Sequence, residues 1–286
     1  MFRPALILAG CAALAACSTD TPADEAGNET AAAAPTVELS RLDCGTIEVS
    51  DLSVFSVAGN YKGVHKTLTD SCYLIRHGET LMLWDTGLPA NLKGKKTTDG
   101  PFTVGVMRTI AQQLRDLGLS PEDIDYIGIS HYHFDHSGQL PAFPRATLLQ
   151  GSADIDAIRA GKLSASDAAP LAHWIDGDGK VDPVSGDRDI FGDGSVVMLD
   201  LPGHTPGHMG LKVVTADKTY LLTGDVAHFY ANYDADDVPT RNTDKAVSVE
   251  SLKRFKGIAE QTGATVVIQH DPADIDLVPA AKASAK

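Results

Sequence analysis

Three histidines and one aspartate fall within six residues of the chain, in the stretch His131-Tyr-His-Phe-Asp-His136. Burying these groups together is costly, because each imidazole needs a polar partner and the carboxylate needs its charge neutralised. A divalent metal ion satisfies all of them at once, and imidazole nitrogen and carboxylate oxygen are ligands that zinc accepts. The cluster therefore predicts a metal site.

The spacing within the cluster favours two adjacent metal ions. In an extended backbone, side chains two residues apart lie on the same face, so His131 and His133 can contact one ion. Asp135 and His136 lie beyond the following turn and can point towards a second position close by.

Further ligand candidates follow apolar runs elsewhere in the chain, each of which predicts a β-strand. His204 comes after residues 195–201, Asp225 after residues 219–224, and His270 after residues 264–269. Loops at strand ends on a rigid sheet are where binding and catalytic groups usually lie. We expect these side chains to meet the cluster at one rim of the fold.

The elements that must position these residues are short strands followed by helix–strand units. Apolar patterns predict strands over residues 49–57, 71–76, 80–84, 124–129, 195–201, 210–215, 220–223 and 264–269, and helices over residues 103–117 and from Ser248 to Gly263. This order indicates an α/β (α+β) fold, an αββα sandwich in which two mixed β-sheets pack face to face with helices outside. We expect one such domain over residues 37–286.

The start of the chain predicts export. Residues 1–16 contain one basic residue and an apolar stretch too short to span a membrane, which is typical of a signal peptide. The segment Leu14-Ala-Ala-Cys17 resembles the lipobox of bacterial lipoproteins, which implies a lipid on Cys17. Residues 17–36 lack bulky apolar side chains and are expected to form a flexible tether. A plain secretory signal with a ragged mature terminus is the alternative.

These features predict a periplasmic protein that is anchored to a bacterial membrane through Cys17. Ser18 after the cysteine resembles lipoproteins that are sorted to the outer membrane. Cys44 and Cys72 remain in the mature chain and form either a disulfide or two buried thiols.

The chain carries a net charge of -14, and removal of residues 1–16 with Arg3 would make it -15. Proteins that bind nucleic-acid phosphates usually carry a basic surface, so a nucleic-acid partner is not expected. The charge fits an exported enzyme that acts on a neutral or cationic small molecule.

The ordered motifs resemble the metallo-β-lactamase superfamily and, within it, the N-acyl-homoserine lactonases. The resemblance covers most of the mature chain and rests on five segments: Leu83-Trp-Asp-Thr-Gly87, Ser130-His-Tyr-His-Phe-Asp-His-Ser-Gly138, Gly203-His-Thr-Pro-Gly-His208, Thr223-Gly-Asp225 and His270. It implies the metallo-β-lactamase fold and two zinc ions, although other divalent transition metals would also suit these ligands.

By this resemblance, one zinc is held by His131, His133 and His204, and the other by Asp135, His136 and His270. Asp225 would bridge the two ions. A hydroxide shared by both metals would attack the lactone carbonyl and open the ring to a hydroxy acid. Asp135 would also carry a proton to the leaving alkoxide.

Three residues after the bridging aspartate, well-studied lactonases of this family have a tyrosine that helps to bind the substrate carbonyl, and this chain has His228. A histidine can still donate a hydrogen bond, so His228 is a candidate for the same contact, or else a surface loop residue. Asp85 is either a turn residue or a group that orients the metal loop. His208 is expected to be structural, and Tyr61 and Phe229 are candidates for lining an acyl pocket.

Other functions of the same fold remain open at this level. They are β-lactam, thioester and organophosphate hydrolysis, and metal-dependent binding without turnover. The bridging position of Asp225 argues against β-lactamases, which as a group lack that carboxylate. The oligomeric state is not indicated by the sequence.

Overall fold

The computed structural model describes residues 36–283. The predicted signal peptide, the lipid-bearing Cys17 and all but the last residue of the tether lie outside this range and stay predictions. Between residues 36 and 283, no helix combines the length and the apolar character needed to cross a bilayer.

The described chain forms strands and short helices in alternation. The strands are β1 Val37–Val49, β2 Lys66–His77, β3 Thr80–Trp84, β4 Lys96–Asp99, β5 Phe102–Gly105, β6 Tyr126–Gly128, β7 Thr147–Gly151, β8 Val181–Val184, β9 Arg188–Asp189, β10 Val196–Asp200, β11 Met209–Val214, β12 Thr219–Leu222 and β13 Thr265–Val267. The helices are α1 Ile110–Asp116, α2 Phe134–Ser137, α3 Ser152–Arg159, α4 Ala165–Ala168, α5 Ala172–Ile175, α6 Tyr230–Ala235 and α7 Lys245–Thr262.

The strands form two sheets of mixed direction. One has the order β4-β5-β1-β2-β3-β6-β7-β8 and the other the order β13-β12-β11-β10-β9. Strand β3 pairs with β2 antiparallel and with β6 parallel, and β12 pairs with β11 antiparallel and with β13 parallel. The predicted mixed sheets are therefore confirmed.

Alternation along β3 explains how the layers stack. Met82 and Trp84 belong to a core that also contains residues of the second sheet, such as Met198 and Leu211. Leu83 points to the opposite face and belongs to a core shared with helix α1. Because successive side chains point to opposite faces, a strand that is apolar throughout must be covered on both sides.

Helix α7 covers the second sheet from outside, with Leu252 and Phe255 packed against Leu199 and Leu221. The order of layers is thus helix, sheet, sheet, helix, which confirms the predicted αββα sandwich. Asp244 caps this helix by accepting from the backbone nitrogen of Val247, so the expected cap at Ser248 was wrong by one turn. Gly263 ends the helix as expected.

Two other local predictions were wrong. The strand expected over residues 49–57 ends at Val49, and a 3₁₀ helix, Leu52–Phe55, follows. The helix expected over residues 103–117 begins only at Ile110, because residues 102–105 pair with β1 as strand β5. Pairing with a neighbouring strand outweighs the weak helical periodicity of residues 103–106.

Cys44 and Cys72 form a disulfide, with their Cα atoms 5.8 Å apart. The bond joins β1 to β2, which already pair along their length. It decides the alternative that the sequence left open.

Candidate metal centre

The predicted site residues lie in loops that follow the carboxyl ends of four strands. The loop after β6 carries His131 and His133, and helix α2 within that loop carries Asp135 and His136. The loops after β10, β12 and β13 carry the other three, which are His204, Asp225 and His270.

All seven predicted ligands lie in two neighbouring groups of donor atoms. The first group contains His131, His133, His204 and Asp225, and the second contains Asp135, His136 and His270; within each group the donor atoms lie within 4.8 Å of one another. The expected convergence is therefore found, whereas the role of these residues as metal ligands stays a prediction.

Asp225 faces both groups, one with each carboxylate oxygen. Its Oδ2 lies 3.2 Å from Nε2 of His204 and 3.7 Å from Nε2 of His131. Its Oδ1 lies 3.2 Å from Nε2 of His136 and 3.0 Å from Nε2 of His270. This arrangement matches the bridging position that the family resemblance implies.

Hydrogen bonds at the far side of three rings determine which nitrogen faces the centre. Nδ1 of His136 lies 3.0 Å from Oδ2 of Asp85, and Nδ1 of His204 lies 2.8 Å from Oδ1 of Asn242. Nδ1 of His270 lies 2.8 Å from the carbonyl oxygen of Thr69. These oxygens only accept, so each Nδ1 carries a proton, and in the neutral ring each Nε2 presents a lone pair to the centre.

The lone pairs that these Nε2 atoms present to the buried centre test whether the site fits a metal ion. The Nε2 atoms of His136 and His270 lie 3.2 Å apart, and when both rings are neutral, with their protons on Nδ1, neither ring can donate to the other. Oδ1 of Asp225 is buried beside them and accepts no hydrogen bond from any described residue. Buried acceptors that face one another need a cation between them, so the donor set fits a metal ion.

The electrostatics differ between the two groups. Burial, together with the neighbouring imidazoles, lowers the pKa of His131 and His133 well below the ordinary histidine value, so these rings are neutral. Burial opposes ionisation of His270 as well, but the adjacent Asp225 carboxylate outweighs it and raises the pKa to about 9. The second group therefore favours positive charge: without a metal ion a second proton on His270 supplies it, and a bound metal ion would take the place of that proton.

Asp85 supports the loop after β6, which carries His131 to His136, through several hydrogen bonds. Its carboxylate accepts from the backbone nitrogen of Ser130 at 2.6 Å, from the Ser130 hydroxyl at 3.0 Å and from Nε2 of Gln269 at 2.8 Å, in addition to His136. The residue is buried and has φ of +59°, a left-handed conformation that aspartate tolerates better than most residues. Asp85 thus orients the loop and is not an ordinary turn residue.

His228 lies inside the centre and not on the surface. Its Nε2 is 3.0 Å from Oδ2 of Asp225, its ring centroid is 4.5 Å from that of Phe55, and only 4% of the residue is exposed. Asp135 is the most open of the site carboxylates, with 18% of its side chain exposed compared with 4% for Asp225.

The centre forms the floor of a cavity of about 620 Å³. One wall is apolar, and its side chains come from β1, β2, β5 and the adjacent loops: Ile47, Val54, Phe55, Leu68, Leu92, Phe102 and Val104. The lining also includes the polar side chains of Ser164, Ser166 and Asp167. Of the two candidates for lining, Tyr61 and Phe229, neither is among the described residues that line the cavity; Phe229 packs against Phe55, and Tyr61 packs against Phe229.

The sequence did not identify Phe55 and Phe102 as lining residues, because it predicted a strand over residues 49–57 and a helix over residues 103–117 and did not indicate the hairpin β4–β5. The turn sequence Asp99-Gly100 between two threonine-containing segments is a hairpin signal that could have indicated it. Asn242 and Gln269 were also missed, since their role lies only in contacts between distant segments.

Known proteins similar to this chain agree with the geometry. A sequence profile of the metallo-beta-lactamase superfamily matches residues 67–270, a range that includes all seven predicted ligands. The chain is 29% identical over 232 residues to an N-acyl homoserine lactonase of a Bacillus species, which covers 74% of this chain and 88% of the other. It is 29% identical over 212 residues to the lactonase of Bacillus cereus, covering 70% and 80% of the two chains.

Among solved structures, similar ones include an N-acyl homoserine lactone hydrolase with its product, N-hexanoyl-L-homoserine, bound at the catalytic metal centre. The TM-score is 0.73 at 25% identity, and the match covers 86% of this chain and 98% of that one. The chain belongs to the metallo-β-lactamase superfamily, as the sequence motifs predicted.

Proposed function

We propose that this protein opens the lactone ring of N-acyl-homoserine lactones and that its centre takes two zinc ions. The observation that carries the proposal is the position of Asp225, whose two oxygens each face a separate group of imidazole nitrogens. A shared carboxylate allows two like-charged ions to lie side by side. The similarity to lactonases from Bacillus supports the choice of substrate.

The shape and chemistry of the cavity also support an amphiphilic lactone. N-acyl-homoserine lactones combine a polar ring and amide with an apolar chain. The floor of the cavity is polar and one wall, including Phe55, Phe102 and Val104, is apolar. An acyl chain on that wall would remove apolar surface from water, which contributes about 0.8 kcal/mol per buried CH₂ group.

His131, His133 and His204 would hold one ion and Asp135, His136 and His270 the other, with Asp225 shared. When bound there, the ions supply hydroxide from water near neutral pH and polarise the carbonyl of the substrate. The protein's own part is to hold the rings in one tautomer, through Asp85, Asn242 and the carbonyl oxygen of Thr69.

We assign to Asp135 the transfer of a proton from the attacking water to the alkoxide that leaves when the ring opens. Its carboxylate lines the cavity and is the most exposed of the site carboxylates, so a departing oxygen can reach it. His228 also lines the cavity, and its Nε2 is engaged with Asp225 at 3.0 Å. If Nε2 of His228 also contacts a substrate carbonyl, its N–H must be shared between that carbonyl oxygen and Oδ2 of Asp225.

Metal content and lactone turnover, measured on one purified sample, test the proposal. We expect about two zinc ions per chain and hydrolysis of acyl-homoserine lactones in preference to nitrocefin, lactoylglutathione and paraoxon. Asp135→Asn should abolish ring opening while substrate binding persists. Preference for another member of the panel, or loaded wild-type protein that binds lactone without turnover, would contradict the assignment.

A further inference from the structure

His208 differs from the seven predicted ligands because both of its ring nitrogens are bound to the backbone. Nδ1 lies 2.9 Å from the carbonyl oxygen of Leu201, and the backbone nitrogen of Asp225 donates to Nε2 at 2.8 Å. A carbonyl only accepts and a backbone N–H only donates, so the ring carries its single proton on Nδ1. His208 therefore has no free nitrogen for a metal ion.

The ring connects two loops of the centre. Leu201 begins the loop that carries His204, His208 ends that loop directly before β11, and Asp225 lies in the loop after β12. The ring is fully buried, so no water can replace either hydrogen bond. One side chain thus ties a ligand of the first group to the shared carboxylate.

Gly224 allows this close approach. A Cβ atom at position 224 would lie 2.6 Å from Nε2 of His208, and φ of +53° at this residue favours glycine. The nitrogen of Gly224 in turn donates to Oε1 of Gln269 at 3.0 Å. The backbone nitrogens of Gly224 and Asp225 therefore both donate to buried side chains, the first to Gln269 and the second to His208.

We infer that His208 is a positioning residue that sets the orientation of Asp225, so that its two oxygens face both groups of donors at once. The inference rests on the metal centre of the proposed function. Without an acceptor for its N–H, the backbone at Asp225 would turn until that group found another partner, because a buried unpaired donor is costly. One carboxylate oxygen would then leave its group.

Two substitutions separate the two hydrogen bonds of the ring. The amide of glutamine reaches the place of Nε2, so His208→Gln keeps an acceptor for Asp225. The amide of asparagine reaches only the place of Nδ1, so His208→Asn keeps a donor for Leu201 and leaves Asp225 unpaired. The two variants are matched, since each loses one hydrogen bond and some ring packing.

Zinc affinity by chelator competition and the absorption spectrum of cobalt-substituted protein are measured on folded samples, with circular dichroism as the folding check. We expect His208→Asn to bind zinc about tenfold to hundredfold more weakly, with an altered cobalt spectrum, and His208→Gln to stay near the wild type. Equal effects of the two substitutions, or unchanged affinity in both, would mean that His208 only fills the core.

A measurement on the wild-type protein needs no variant to fold. Nitrogen-15 NMR of the loaded protein should show His208 protonated at Nδ1 and unprotonated at Nε2. The opposite tautomer would overturn the inference. Neither this readout nor metal affinity depends on lactone turnover, so a protein that holds its metals but hydrolyses no lactone would refute the proposed substrate and leave the role of His208 intact.

Discussion

Asp85→Asn is the substitution with the most specific expected consequence, because it changes one atom in a buried network. Oδ1 of Asp85 accepts from the backbone nitrogen of Ser130, and Oδ2 accepts from the Ser130 hydroxyl, His136 and Gln269. An amide has one acceptor where the carboxylate has two. Whichever way the amide turns, its NH₂ group faces at least one donor.

The magnitude follows from the hydrogen bonds that are lost. If the oxygen of the amide takes the place of Oδ2, the NH₂ group opposes the N–H of Ser130. The loss of one hydrogen bond to a charged group and one unpaired buried donor together cost about 2–4 kcal/mol of stability. If the NH₂ group instead takes the place of Oδ2, His136 can accept from it only by moving its own proton to Nε2.

That change of tautomer would remove the lone pair that His136 presents to the second group. The cost would then appear as metal affinity, with a loss of about tenfold to hundredfold at that position. We therefore expect either a lower free energy of unfolding or weaker binding of one metal, while the group around His131 keeps its affinity. Urea unfolding and chelator competition on the same preparation measure the two quantities.

Asp125→Asn is a matched control on the same pair of strands. Asp125 precedes β6 and accepts from the backbone nitrogen of Leu81 at the opposite end of β3, and it is exposed. This variant should keep both metals and unfold near the wild-type urea concentration. An Asp85→Asn protein with wild-type stability and wild-type affinity for both metals would refute the role given to Asp85.

Other perturbations give separate tests. Replacing Cys44 and Cys72 by alanine, which opens a loop of sequence separation 28, should lower the free energy of unfolding by about 3.5 kcal/mol in urea titrations. Burial raises the pKa of Asp154 from 3.8 to about 7, so between these pH values the folded state keeps a proton that the unfolded state has lost. The free energy of unfolding should therefore fall as the pH rises from 3.8 to about 7. Asp154→Asn should make this fall less steep, and an unchanged slope would contradict the role given to Asp154. Val104→Trp places a larger side chain in the apolar wall and narrows the cavity beside it. Because about two CH₂ groups of a long acyl chain would no longer be buried, KM should rise about tenfold for long acyl chains but not for short ones. Cys17→Ser should abolish incorporation of labelled palmitate and release the protein from the membrane fraction, whereas retained label would refute lipidation at this residue.

The candidate ligands could be identified from the sequence because each one lies in a segment that follows an apolar run. A run such as residues 195–201 predicts a strand, and a polar residue just beyond a strand lies at the edge of a sheet, where sites form. The supporting residues have no such local signature. Gln269 accepts hydrogen bonds from Trp84 and Gly224 and donates one to Asp85. Nothing near residue 269 in the sequence indicates these contacts.

The meeting of the two metal groups depends on register between strands that are distant in the sequence. Leu222 of β12 pairs in parallel with Val267 of β13, and Asp225 and His270 each lie three residues beyond that pair. Equal offsets beyond a parallel pair place two side chains next to each other at the same edge. In the other sheet, β3 and β6 are also parallel, with Trp84 opposite Gly128, so Asp85 and Ser130 leave that sheet together.

Each sheet therefore contributes a parallel pair whose carboxyl ends open at one edge, and the face-to-face packing brings the two edges together around Asp225. An insertion of one residue in β12 would keep the strand apolar and keep its hydrogen bonds, but it would move Asp225 out of step with His270 and reverse the faces of the side chains. Strand prediction alone cannot detect such a slip, because the run remains apolar and is still predicted as a strand. The chemistry of the centre thus depends on parallel register, which is a property of the paired strands and not of either strand by itself.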